Sequence, residues 1–123
     1  MKVKSILLNL SPLILYFVHA VIAKYDILHY MMSARFAIFI VIVLPTLCLF
    51  LNYKASKDVF QLVLLNIIFL VTHIIGGCIY DLILVKSISD GGLMVMNSTI
   101  IYMVIASVIL CIKKKRKLND KSN

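Results

Sequence analysis

The chain contains no glutamate, and its acidic residues number only five in 123, all of them aspartate. That absence excludes designs built on a membrane-embedded glutamate, such as the usual small multidrug exporter and the glutamate-dependent intramembrane metalloproteases. Also missing are a G-x-S-x-G elbow, a phosphate-binding glycine loop and paired carboxylates at catalytic spacing. His73 and Cys78 are five residues apart. On a helix that is about 140°, so they do not form a nucleophile–base pair on one face. No enzymatic activity and no cofactor are expected.

Cysteine is scarce too. Cys48, Cys78 and Cys111 are odd in number and all fall in apolar stretches. They argue against a disulfide framework, and no pair has metal-ligand spacing, so no metal site is assigned to them. They read as small buried hydrophobes. Cys111, beside a basic segment, is placed for acylation if the cell is eukaryotic.

What is abundant is apolar surface. The hydrophobic share is 63% and the mean hydropathy +1.05, against roughly 45–50% apolar for ordinary soluble domains. A chain this short cannot hide so much apolar surface from water, so lipid is its expected solvent. Residues 5–23, 36–53, 59–80 and 91–112 are free of Asp, Glu, Lys and Arg, each for 18 residues or more. A span needs about 20 residues, with some tolerance for tilt and snorkelling. Strands are excluded because open edges leave backbone groups unsatisfied in lipid. The expectation is an all-α, integral membrane four-helix bundle over residues 1–123, with spans near 5–23, 36–53, 59–85 and 91–112 and a basic tail at 113–123. Short connections make sequential helices antiparallel, giving an up-down-up-down order.

Orientation follows from the basic residues. With four spans, Lys2, Lys4, Lys54, Lys57, Lys113, Lys114, Lys115, Arg116, Lys117 and Lys121 share one side, and only Lys24, Arg35 and Lys86 lie on the other. Ten against three puts both termini in the cytoplasm, most simply at the plasma membrane. The opening "MKVK", followed by an apolar run and "VHAVIA", also fits a signal peptide cleaved after Ala23. The run is long for that, however, and Asn9, Pro12 and His19 interrupt it. Cleavage would leave three spans and an outer N-terminus.

Between the spans, "KYDILHYMMSAR" (24–35) reads as an interfacial segment, and Asp58 is placed to cap the third helix. Asp90-Gly91-Gly92 is a turn signal. Pro12 and Pro45 are expected to kink the first two spans, as is common in membrane helices without moving parts. The second span is otherwise nearly featureless, with Thr46 and Cys48 after Pro45, and reads as the most lipid-exposed.

Polar side chains inside the spans fall in stripes. Ser5, Asn9, Pro12, Tyr16, His19 and Ala23 follow the spacing 4, 3, 4, 3, 4, one continuous helical face. On the third helix Asn66, His73 and Tyr80 are seven apart, each about 20° from the last, with Gly77 about 40° from His73. Gly76 and Gly77 allow close backbone approach, and Asn9 joins them as an expected packing residue. Asp81 lies at the stripe's edge, and Cys78 faces elsewhere. On the fourth helix Ser98, Tyr102 and position 105 or 106 define a packing face.

Ionisable groups in a membrane are costly and default to functional hypotheses. His19, His73, Asp81, Asn66, Tyr16 and Tyr80 therefore form a candidate intramembrane polar site, in the outer half of the bilayer on the topology above. One use is an outward-opening proton or cation site, and imidazoles with a carboxylate also suit a transition metal. The plainer use is packing, since a histidine can be buried neutral at modest cost. Lys113, Lys114, Lys115, Arg116 and Lys117 suit anionic lipid headgroups or a simple topology anchor, and nothing resembles a nucleic-acid reader.

The expected function is that of a non-enzymatic accessory or regulatory factor. It would act through helix contacts with other membrane components, with itself, or on membrane integrity. The alternatives are a small proton or cation transporter or channel using His19 and His73, and a holin-like pore former.

Overall fold

The computed structural model describes residues 3–25, 38–83 and 90–122; of these, 96% are helical and none is in a strand. The interfacial reading of 24–35 lies, but for its first two residues, outside the described part. So does the turn before Asp90. There are four helical segments, three of them long and apolar.

Both prolines mark where the first two segments change geometry. Helix α1 (Val3–Asn9) gives way to α2 (Ser11–Tyr25) across a turn at Leu10. The Leu10 amide is shared between the carbonyls of Ile6 (3.2 Å) and Leu7 (3.1 Å). Pro12 has no N–H to offer the Leu8 carbonyl, and its ring crowds that oxygen. The chain accommodates this by restarting the helix with proline in its first turn, where a missing donor costs nothing. The second segment opens with a π turn, Phe39–Val43, in which the Leu44 N–H reaches back to the Phe39 carbonyl. It runs directly into α3 (Leu44–Ala55), with Pro45 in the first turn. Here the wider turn supplies the room that the Pro45 ring demands.

The connection to α4 (Val59–Ile83) is three residues long, and each of its residues makes a hydrogen bond. The Ser56 N–H closes on the Asn52 carbonyl at 3.0 Å. As expected, Asp58 caps the next helix: its carboxylate accepts the Gln61 N–H at 2.9 Å, while the Gln61 side chain accepts the Lys57 N–H at 3.1 Å. This reciprocal arrangement satisfies otherwise orphaned donors at a helix start.

Helix α5 (Asp90–Ser122) runs unbroken for 33 residues, and it corrects two expectations. Asp90-Gly91-Gly92 is not a turn but the first helical turn, where aspartate suits the positive end of the helix dipole and glycine is tolerated. Residues 113–122 are not a loose tail but the end of the same helix. No proline or glycine follows Gly92, and Lys, Arg and Leu are good helix formers.

Packing is inside-out relative to a soluble protein. Asn9, Asn52, Asn66, His73 and Thr99 are fully or nearly fully buried. The outside carries Phe17, Phe50, Phe60, Ile67, Leu82, Ile101 and many similar side chains. Such a surface is stable in hydrocarbon, where polar groups must be satisfied internally. Val3–Ile22, Val59–Tyr80 and Met96–Lys121 are long and apolar enough to cross a membrane, whereas Phe39–Ala55 is a shorter apolar helix.

Helix α4 touches all the others. Its buried line of Leu62, Leu65, Asn66, Phe69, Thr72, His73, Gly76, Gly77 and Tyr80 matches the stripe read from sequence. The second segment does not match its reading: Ile40, Leu44, Pro45, Cys48, Leu49 and Asn52 are buried along one face. Its polarity was concentrated in one end residue, Asn52, so the face left little trace in the pattern. On α5 the inward face is centred on Thr99 and Met103, with Ser98 and Ile105 exposed. Of the expected face, Tyr102 and Ala106 do pack against the core, at the margin of this inward face.

Gly76 and Gly77 differ in what they hold apart. A Cβ on Gly76 would come within 2.8 Å of Tyr16 Cδ2, 3.3 Å of the Pro12 carbonyl oxygen and 3.4 Å of Leu13 Cα. On Gly77 it would meet only the terminal methyl of Met96, at 2.7 Å. Met96 can swing aside, whereas the backbone of α2 cannot. Gly76→Ala is therefore expected to destabilise the fold by about 1–3 kcal/mol. Gly77→Ala should be near neutral or slightly stabilising, because alanine is the better helix former. Detergent-denaturation midpoints of the two variants check the difference.

A candidate intramembrane polar site

Two polar layers lie between the helices. The first is a ladder of side-chain amides linking all four segments. Asn9 Nδ2 donates to Asn52 Oδ1 at 2.8 Å, and Asn52 Nδ2 donates back to Asn9 Oδ1 at 2.9 Å. The second Asn52 hydrogen goes to Asn66 Oδ1 at 2.9 Å, and Asn66 Nδ2 donates to Ser107 Oγ at 3.0 Å. Asn9 also donates to the Ser5 carbonyl at 2.6 Å. A carboxamide has two N–H donors and an acceptor oxygen. Asn52 uses both of its donors and its oxygen, and it sits at the centre of the ladder.

The second layer is aromatic. His73 is fully buried, with Tyr16 Oη 3.5 Å from each of its ring nitrogens. Equal distances mean that the hydroxyl faces the edge between the nitrogens, at the outer limit of hydrogen bonding. The His73 ring stacks on Phe69 one turn earlier, with centroids 6.3 Å apart and planes at 6°. Tyr16 lies tilted against His73 at 5.3 Å and edge-on to Tyr80 at 5.9 Å. Offset or edge-to-face geometry is the favourable one for such rings.

The structure thus brings Tyr16, His73 and Tyr80 together and gathers Asn9 and Asn66 in the other layer. His19 is half-buried on the Tyr16 side of α2. Asp81 belongs to α4, but its side chain lies outside the described part. Among the described residues no group of three or more His, Cys, Asp or Glu could hold a metal ion. Of the free cysteines, Cys48 is buried and Cys111 half-buried, while Cys78 is exposed. For Cys78 the expectation of burial is corrected, because it lies on the outward side of α4.

Three contacts were not legible beforehand. Asn52 lies one residue from the end of the uncharged run 36–53, where a polar side chain carries no helical periodicity to mark it as the ladder's centre. Thr46 and Tyr102 share a hydroxyl–hydroxyl bond between α3 and α5. Lys114 Nζ donates to the Tyr53 carbonyl at 2.9 Å and lies 4.7 Å from the centre of the Tyr53 ring. Lysine suits this place, since the last carbonyls of α3 form the negative end of its dipole.

Comparison of the chain with family models, with curated proteins and with solved structures finds no match in any of the three.

The arrangement can hold four helices in one register without any charged pair. Asn52→Ala removes three hydrogen bonds at once and leaves Asn9 and Asn66 without that partner. A loss of about 1–2 kcal/mol is expected, given roughly 0.6 kcal/mol for an average membrane polar contact and up to about 1.7. The double variant with Asn9→Ala should cost less than the sum of the two single changes. Strict additivity in the detergent-denaturation cycle would mean that the amide pair is not coupled.

Proposed function

We propose that the chain is a small multi-pass membrane protein with four spans in up-down-up-down order and both termini in the cytoplasm, most simply at the plasma membrane. Three observations support this topology. Asn9 and Tyr16 pair with Asn66 and His73 in the same order along both segments, through Asn52 and directly. By contrast, Asn66 and Gly77 meet Ser107 and Met96 in reversed order. Basic residues from three separate parts of the sequence gather at one end, with Lys4 and Lys54 beside one hollow and Lys114 on Tyr53. This is the asymmetry that the positive-inside rule requires.

We infer that its role is non-enzymatic: an accessory or regulatory factor working through helix contacts with another membrane component or a second copy, or on membrane integrity. The observation that carries this is the amide ladder. Asn9, Asn52 and Asn66 bond to one another, while most outward positions carry apolar side chains that fit lipid or another helix. The second reading, proton or cation passage, draws on the fully buried His73 beside Tyr16, with His19 further along α2. A holin-like pore has only the small size and the basic helix end in its favour.

Two measurements separate these. Reconstituted liposomes carrying the protein should dissipate an imposed pH or potassium gradient no faster than empty ones, and His73→Ala should change nothing. A gradient collapse that depends on His73 would replace the accessory role with transport. For topology, a cysteine introduced at Lys57 in a chain lacking its three native cysteines should resist a membrane-impermeant thiol reagent in intact cells and react after lysis. Labelling in intact cells would invert the orientation.

A further inference from the structure

At the end of the molecule where the basic residues gather, α1 and α3 diverge around an open hollow of about 310 Å³. It is lined by Lys4, Ser5, Leu8, Leu51, Lys54 and Ala55. Two features of this lining belong together. The lysines come one from each helix, Lys4 from α1 and Lys54 from α3, the Lys54 ammonium resting 4.6 Å from the centre of the Phe50 ring, and no lining residue is acidic. Below them, the walls are leucine, and Leu47, one turn further along α3, is exposed in line with Leu51. In sequence, Lys4 and Lys54 directly bound the uncharged runs 5–23 and 36–53. The charged rim therefore sits where hydrocarbon gives way to headgroups, with the apolar wall on the hydrocarbon side.

We propose that this hollow is a binding site for one anionic phospholipid. The headgroup phosphate is held by the ammonium groups of Lys4 and Lys54, Lys54 swinging from the Phe50 ring on its flexible four-carbon stem, and an acyl chain runs along Leu8, Leu51 and Leu47. The charge is complementary and the depth correct. The wall is apolar where a soluble phosphate compound would need further polar partners. Lysine is suited to phosphate as a compact point charge. The site also lies directly over the joint between α1 and α3. Ser5 lies one turn before Asn9 and Leu8 directly before it, and Leu51 precedes Asn52, so a lipid seated here spans the same two helices as the reciprocal amide pair. Binding thus braces the joint from the membrane surface. The site is separate from the basic run at 113–117, of which Lys113 and Lys114 are turned onto Tyr53. The proposal rests on the chain being embedded in a membrane, and incorporation into lipid nanodiscs tests that premise separately.

The test is lipid retention by native mass spectrometry, together with thermal stability, in nanodiscs of phosphatidylcholine with and without phosphatidylglycerol. The intact chain is expected to retain one phosphatidylglycerol in preference to phosphatidylcholine and to melt higher in its presence. Lys4→Gln with Lys54→Gln should weaken that preference about thirtyfold, from about fivefold per basic residue near the surface. Lys4→Arg with Lys54→Arg should restore it. Neutralising Lys115, Arg116 and Lys117 to glutamine should leave it in place. Inorganic phosphate at millimolar concentration in phosphatidylcholine discs should not raise the melting temperature. The proposal is overturned by equal retention of the two lipids, by loss of preference in the 115–117 variant but not in the Lys4/Lys54 variant, or by a phosphate response matching that of phosphatidylglycerol. If the chain does not enter discs at all, the premise of membrane embedding fails instead.

Discussion

In hydrocarbon, a carboxamide that lacks partners is expensive, and water cannot rescue it. This constraint acts three times over in Asn9, Asn52 and Asn66, and the only solution compatible with four apolar helices is to bring the three amides together. Their placement then dictates much else. Asn9 reaches Asn52 only if α1 lies against α3, and Asn52 reaches Asn66 only across the tight connection at 56–58. Ser107 ends the chain of donors and draws α5 to the same level. Leucine and isoleucine contribute area and van der Waals contact but little register, because in lipid one apolar face is nearly as good as another. The amides supply what apolar packing cannot, a single alignment of four helices.

The aromatic layer depends on that alignment. Gly76 admits the α2 backbone and the Tyr16 ring, and Tyr16 then fills the space between His73 and Tyr80. The histidine is consequently held on two sides, by a stacked ring within its own helix and by a tyrosine from another. Glycine and histidine in one stripe thus have linked purposes, the first making room and the second filling it.

How far this could be read from the sequence varied with the physical signal. The stripes on α2 and α4 were legible because polar and small residues recur at helical spacing in otherwise aliphatic surroundings, so Asn9, Tyr16, Asn66, His73 and Tyr80 stood out. The Asp58 cap was legible for a similar reason, as a lone carboxylate just before an apolar run. Asn52 was not, because it sits beside Tyr53 and Lys54, where a polar residue looks like the beginning of a loop. The inward face of α5 was legible only in part, at Tyr102 and Ala106 and not at its centre of Thr99 and Met103. Serine, threonine and alanine are nearly equivalent as small interface residues, and sequence alone cannot choose between faces one residue apart. The helical end of α5 was hidden by its charge, which reads as solvation while leaving helix propensity untouched. Pairing between helices, such as Thr46 with Tyr102 or Lys114 with the Tyr53 carbonyl, carries no sequence periodicity at all.

The length of α5 has a mechanical meaning. At 1.5 Å per residue, 33 residues make a rod of about 50 Å, roughly 20 Å longer than a hydrocarbon core. Its lower part is pinned to α3 through Lys114, so the projecting end is a mast and not a tether. Residues 113–117 turn through about 400° on such a rod, which spreads their charge around the whole circumference. A polybasic string that lies flat needs its cations on one side and freedom to bend, and this one has neither. Its charge is instead distributed around a continuous helix.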